Sequence, residues 1–160
     1  MNLPNRLTIA RLALTGLFVA VLHLPFPAPL TWAFFLFALA ALTDFVDGYL
    51  ARRYDLITPF GKLMDPVADK ILTAAGFLVL VEFGLVPGWI VILILAREFL
   101  VTGLRLLAIS QGSVLPADTL GKQKTIWQIA TLLYFLLSLA SLETTFRWMA
   151  PFFTGIGHPE

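Results

Sequence analysis

The chain has 160 residues, of which 59% are hydrophobic and only 13% charged, against roughly 45–50% and about 25% in ordinary soluble domains. One soluble domain of this length could not bury so much apolar surface, so lipid is the expected solvent. Eleven Lys+Arg and ten Asp+Glu nearly cancel to a net charge of +1, and there are no cysteines. Disulfides, thiolate metal sites and cysteine nucleophiles are therefore excluded, and no basic run with interleaved aromatics supports a nucleic-acid partner.

Five apolar stretches approach the roughly 20 residues that a helix needs to cross a bilayer: residues 7–24, 30–50, 66–83, 87–109 and 125–142. The first follows Arg6 and contains Arg11. Pro25-Phe26-Pro27 stands where a signal peptide would need a small-residue cleavage site, so this segment is expected to be retained. Turn chemistry separates the others: Pro25, Pro27 and Pro29; then Thr58-Pro59 and Gly61; then Gly84, Pro87 and Gly88; then Gln111-Gly112 and Pro116. No period-2 alternation favours strands. The expected fold class is an all-α integral membrane protein, a single transmembrane helix bundle over residues 1–160.

After residue 142 the apolar run is too short to span. Trp148, Phe152 and Phe153 suit an interfacial segment instead. With the N-terminus placed in the cytoplasm, Arg6, Arg11, Arg52, Arg53, Lys62, Lys70, Arg105, Lys122 and Lys124 all fall toward that side. Arg97 lies within the fourth stretch, and Arg147 alone falls on the far side. That asymmetry predicts a cytoplasmic N-terminus.

Ionisable residues inside membrane helices are costly and call for a reason. Asp44 and Asp47 end the second stretch, and Asp65 and Asp69 bracket the start of the third. Spacings of three and four place each pair on one helix face, and the short connection makes the two helices antiparallel neighbours. Four convergent carboxylates cannot all stay ionised without cations. Hard divalent ions, Mg²⁺ (or Mn²⁺) and two of them, suit such a donor set where phosphates share the site. Two plainer readings stand beside this one. Asp65-Pro66 also has the form of a helix N-cap followed by proline, and Asp44 or Asp47 could merely pair with Arg52 or Arg53. Gly48 and Ala51 would let a ligand approach the backbone, or let helices pack closely.

The segment Asp44-Phe-Val-Asp47-Gly48-Tyr-Leu-Ala51-Arg52, eight residues, Gly61, three residues, Asp65, three residues, Asp69 resembles the signature of the CDP-alcohol phosphotransferase family at all eight fixed positions. Asn2-Leu-Pro-Asn-Arg-Leu-Thr-Ile-Ala-Arg11, Ala96-Arg97-Glu98 and Gly121-Lys122-Gln-Lys124-Thr125 resemble the branch of that family whose acceptor is glycerol 3-phosphate. The resemblance implies a six-helix membrane bundle, usually a homodimer, with its site at the cytoplasmic face of the cell (inner) membrane. It implies Asp44, Asp47 and Asp65 as metal ligands and Asp69 as metal-site residue and general base. Gly48, Ala51 and Arg52 would border the CDP group, with Gly61 in the connecting turn. A recognisable sixth helix is missing, which is a departure from the family pattern.

The implied reaction transfers the phosphatidyl group of CDP-diacylglycerol to sn-glycerol 3-phosphate, giving phosphatidylglycerophosphate and CMP. An acceptor that carries a phosphate needs cations. Arg97, Arg105, Lys122 and Lys124 are the candidates, with Glu98 one face away from Arg97 and expected to orient Arg105; the plain alternative is headgroup anchoring. Asn5, Thr8 and Arg11 could line the mouth of the site, where Arg11 could reach a phosphate or simply snorkel to the interface. Sibling enzymes using inositol phosphate, serine or phosphatidylglycerol share the aspartate motif. A carboxylate-lined ion transporter and a non-catalytic metal-binding scaffold are the readings from other classes.

Overall fold

The structure, a computed structural model, describes residues 3–54, 59–111 and 119–153, with the side chains at 3–6, 47–54, 59–63, 65–66, 105–106, 109, 119–122 and 150 outside the description. Five α-helices follow one another: α1 Leu3–His23, α2 Pro29–Tyr54, α3 Pro59–Glu82, α4 Gly88–Ser110 and α5 Thr119–Ala140. A 3-10 helix over Arg147–Phe153 is the last described element, and there is no strand among the described residues. The all-α expectation holds.

Every apolar stretch is helical, but the helices outrun the stretches. α2 continues to Tyr54 rather than stopping near Leu50, and α3 begins at Pro59 rather than at Pro66. A helix persists while its backbone groups pair, whereas hydropathy marks only the part that lipid would solvate. Asp65 therefore lies inside α3, and the N-cap reading of Asp65-Pro66 fails.

Local chemistry sets the ends. At the end of α3, Leu85 N–H donates to Leu80 O at 2.9 Å and Gly84 N–H to Val81 O at 3.0 Å. This is a Schellman closure, with Gly84 at φ +68°, where a glycine carries no Cβ penalty. The start of α2 is less ordinary. Ala28 precedes it at φ 54° and has no side-chain acceptor to offer. Glu143, just beyond α5, supplies the acceptors instead: Oε1 takes the Leu30 N–H at 2.7 Å and Oε2 the Thr31 N–H at 2.9 Å. The distant carboxylate thus serves the N-terminal donors that α2 cannot satisfy itself.

Pairwise neighbours fix the helix directions. Arg11 of α1 meets Asp44 of α2, and seven residues further along each helix, in opposite senses, Phe18 stacks on Phe37 at 5.5 Å. α1 and α2 are antiparallel. A Cβ at Gly76 of α3 would come 2.9 Å from Phe37 Cε2 and 3.0 Å from Leu132 Cδ1 of α5, so α2, α3 and α5 converge at that level. α2 and α3 form the centre; α1 and α5 pack on both, while among the described residues the backbone of α4 packs on α3. Phe18, Phe37, Leu72, Leu80, Leu132 and Leu136 fill the interior. Where lipid competes as solvent, tight packing rather than apolar transfer holds helices together. The glycine at 76 and the buried alanines at 33, 40, 68 and 140 provide that closeness.

The exterior is apolar: Phe45, Ile92, Leu93, Leu100, Leu104 and Trp127 are all well exposed. Among the described residues, one helix is both long and apolar enough to cross a membrane by composition, through the window Pro29–Val46 of α2. Only 28% of that window is buried in the bundle, unlike the core helix of a soluble domain. Leu7–His23 is apolar but shorter. Five clear spans were expected, and only one meets this measure. The charges that interrupt the others, such as Asp69, Lys70, Arg97 and Glu98, lie inside α3 and α4.

The expected interfacial tail divides in two. Trp148 and Phe152 are exposed, but Phe153 is buried against Tyr134 of α5 at 5.3 Å between rings, and Phe146 packs on Phe34 and Phe35 of α2. The segment folds back onto the bundle because its aromatic rings find a ring-lined surface there.

Candidate active site

Two helical turns from the Phe18–Phe37–Gly76–Leu132 level, about 10 Å along the axes, each helix contributes a charged side chain to one layer. Arg11 Nη1 of α1 contacts Asp44 Oδ1 of α2 at 2.7 Å. Asp69 of α3 feels the charges of Asp44, Lys70, Arg11 and Glu98 through space. Glu98 of α4 pairs with Lys124 of α5 and, at 3.0 Å, with its own neighbour Arg97. The order Arg11, Asp44, Asp69, Glu98, Lys124 therefore runs across all five helices, with cations flanking three carboxylates.

The register of the sequence explains the layer. Asp44 lies seven residues after Phe37, Asp69 seven before Gly76 and Arg11 seven before Phe18, and a seven-residue step returns to nearly the same helix face. The face that packs the interior thus becomes the charged face at one end. Buried Thr8 and Thr15 continue it on α1, and Thr15 Oγ1 donates to Arg11 O at 2.8 Å. Thr73, one turn beyond Asp69, donates to Asp69 O at 3.1 Å and Lys70 O at 3.2 Å, so its hydroxyl is satisfied by its own helix.

Arg11 is 1% exposed and Asp44 33%. A side chain so enclosed does not reach interfacial water, so the snorkelling reading of Arg11 fails. Asp44 pairs across helices with Arg11 and is the ligand candidate whose surroundings are clearest. Asp69 is half-buried behind it. Asp47 lies one turn further along α2 and Asp65 one turn earlier on α3. Their side chains lie outside the described residues, as do those of Gly48, Ala51, Arg52, Gly61, Asn5, Arg105 and Lys122.

Among the described residues, no three His, Asp or Glu side chains come together as a metal-holding group. Asp44 and Asp69 are the described members of the expected set, and their hard oxygen donors fit Mg²⁺ or Mn²⁺ in kind. Thr8 is fully buried on the Arg11 face rather than at an open mouth. Glu98 engages Lys124 and Arg97; the expected contact with Arg105 falls on a side chain outside the described residues. Glu98 is 17% and Lys124 28% exposed, whereas Arg97 is 56% exposed, so the Lys124 contact is the sheltered one. Arg11 was expected at the mouth of the site, but its partner there, Asp44 of the neighbouring helix, was not foreseen. Its signal was an arginine inside an apolar stretch, at the same heptad position relative to Phe18 as Asp44 has relative to Phe37.

Comparison with known proteins identifies the family. A protein of Bacillus subtilis (strain 168) called CDP-diacylglycerol–glycerol-3-phosphate 3-phosphatidyltransferase is 42% identical over 172 aligned residues, covering 96% of this chain and 89% of the relative. The protein of that name from Rickettsia bellii is 41% identical, with the same coverage. A probable phosphatidylglycerophosphate synthase of Mycobacterium tuberculosis (strain ATCC 25618 / H37Rv) is 41% identical, covering 87% of this chain and 68% of the relative. The family model described as CDP-alcohol phosphatidyltransferase matches residues 1–156, so this chain belongs to the CDP-alcohol phosphatidyltransferase family.

Proposed function

We propose that the protein transfers the phosphatidyl group of CDP-diacylglycerol to glycerol 3-phosphate, releasing CMP and leaving phosphatidylglycerophosphate in the membrane. The observation that carries this reading is the contact of Arg11 with Asp44, from one half of the signature, within electrostatic reach of Asp69 from the other. Relatives about 40% identical over most of the chain bear the name of that activity.

Asp44, Asp47, Asp65 and Asp69 would hold Mg²⁺ or Mn²⁺, two ions in the full site. Bound there, the ions neutralise the diphosphate and the departing CMP oxygen. Asp69 accepts the proton of the attacking glycerol 3-phosphate hydroxyl as that oxygen bonds to the β-phosphorus and the bond to CMP breaks. Gly48, Ala51, Arg52 and Gly61 border the CDP group, with Asn5 beside it. Lys124, with Arg97, Arg105 and Lys122, meets the acceptor phosphate, and Glu98 sets the position of Lys124.

Helices of 21 to 26 residues reach about 31–39 Å, enough for a hydrocarbon core of about 30 Å. That length and the apolar exterior support five crossings, with the N-terminus and charged layer cytoplasmic. The homodimer of the resemblance belongs to the same reading.

The test is CMP release by the purified protein in detergent, with CDP-diacylglycerol and Mg²⁺. Glycerol 3-phosphate, inositol phosphate, serine and phosphatidylglycerol are compared as acceptors, with Asp69→Asn as control. Release with glycerol 3-phosphate alone, lost in the variant, is the expected result. Preference for serine or inositol phosphate would move the protein to another branch.

A further inference from the structure

Arg11 has no place in the reaction just described, yet it is the most enclosed charge among the described residues. Enclosing a guanidinium at 1% exposure costs several kcal/mol unless a partner compensates it. Its Nη1 contacts Asp44 Oδ1, and its charge also attracts Asp69, which Asp44 and Glu98 repel. A single cation thus faces carboxylates from both halves of the signature. α1, which carries it, packs on both α2 and α3.

We infer that Arg11 is a positioning residue: a built-in counter-cation that aligns Asp44 and keeps the carboxylate cluster assembled before a divalent ion arrives. The inference rests on the proposed metal-dependent reaction. Engaging Oδ1 restrains the Asp44 carboxylate, and with it the direction in which Oδ2 points. Positive charge at this point offsets the mutual repulsion of Asp44 and Asp69, which would otherwise push α2 and α3 apart at that end. The arginine does the holding and touches neither substrate. A lysine would bring the same charge but no rigid planar fork, so it would restore the assembly without restraining the carboxylate in the same way.

The experiment uses the full chain in detergent and the variants Arg11→Gln, Arg11→Lys, Asp44→Asn and Arg11→Gln/Asp44→Asn. Unfolding midpoints are read in EDTA and in saturating Mg²⁺, alongside kcat and the KM for CDP-diacylglycerol. Arg11→Gln is expected to lower the midpoint by several degrees in EDTA and clearly less in Mg²⁺. The EDTA penalty should shrink by at least half in the Asp44→Asn background. Arg11→Lys should recover most of the EDTA midpoint yet lose about tenfold in kcat, the scale of losing a residue that orients a metal ligand, with KM little changed. An equal loss in EDTA and Mg²⁺, additive with Asp44→Asn, would overturn the inference and make Arg11 a packing residue. If Mg²⁺ moves the midpoint of no variant, wild type included, the metal-dependent reading fails. The coupling of Arg11 to Asp44 in EDTA still decides the role of Arg11.

Discussion

Glu98 of α4 and Lys124 of α5 form an ion pair between two helices whose backbones do not meet elsewhere among the described residues. α4 leans on α3 and α5 on α2 and α3, so this contact ties the outer helix to the far side of the bundle at the level of Asp69. Its mostly sheltered setting distinguishes it from an ordinary surface pair, whose net worth is small.

If Lys124 meets the acceptor phosphate, its removal should affect one substrate only. Lys124→Ala is expected to raise the KM for glycerol 3-phosphate about 10–100-fold, the equivalent of one charge-assisted hydrogen bond of roughly 1.5–3 kcal/mol. The KM for CDP-diacylglycerol should change little. Glu98→Gln should raise the same KM by a smaller factor, because it loosens the lysine without deleting it. Steady-state kinetics with each substrate varied in turn checks both, and parallel increases in the two KM values would count against the assignment.

Asp69 offers a contrast between activity and stability. Asp69→Asn should lower kcat by roughly 10²–10⁴-fold, the usual contribution of a general base. Burial and the charges of Asp44 and Glu98 disfavour its carboxylate, against the attraction of Lys70 and Arg11, so removing one negative charge should leave the metal-free unfolding midpoint unchanged or higher. Loss of activity together with a lower midpoint would mean that Asp69 mainly holds the fold.

The helices were legible because each has an apolar core of nearly membrane length, and the motif register placed Asp44 and Asp69 together. What the sequence concealed depends on packing. Helix ends ran past the apolar stretches, and so Asp65 proved to be an interior position rather than a cap. The partner of Arg11 lies on another helix, 33 positions along the chain. Glu98 reaches across to Lys124 of another helix, a pairing the spacing along its own helix did not indicate. Cross-helix pairs of this kind follow from the relative rotation of two helices, which composition and periodicity within one helix do not encode.

Gly76 marks the tightest approach of α3 to its neighbours. A methyl there would sit 2.9 Å from the ring of Phe37 and 3.0 Å from Leu132, and both of those side chains are fully buried. Alanine gains about 1 kcal/mol in helix propensity over glycine, but overpacking a filled interior costs about 1–3 kcal/mol. Gly76→Ala is therefore expected to lower the unfolding midpoint modestly, and Gly76→Leu to prevent recovery of folded protein. Asp44 and Asp69 lie two turns away on the same pair of helices, so Gly76→Ala should also reduce kcat. An unchanged midpoint would show that Phe37 has room to move.

Glu143 makes a separate case, because its work is done at the opposite end of α2 from the aspartates. Both of its carboxylate oxygens accept N–H groups at the start of that helix, at 2.7 and 2.9 Å, in place of the side-chain cap that Ala28 lacks. Replacing a cap with alanine typically costs about 0.5–2 kcal/mol, and a carboxylate also complements the positive end of the helix dipole. Glu143→Ala should therefore lower the unfolding midpoint, while Glu143→Gln, which keeps one acceptor but not the charge, should lie between it and wild type. Ala28 supplies the internal control. Its φ of 54° is left-handed, a region that costs an L-residue roughly 1–2 kcal/mol, so Ala28→Gly should raise the midpoint and Ala28→Val lower it. If the cap holds α2 in place rather than merely completing its first turn, Glu143→Ala should also weaken turnover, and Ala28→Gly should partly restore it in the double variant. Midpoints and CMP release measured on wild type and these five variants distinguish these roles: loss of stability with full turnover assigns Glu143 to the helix end alone.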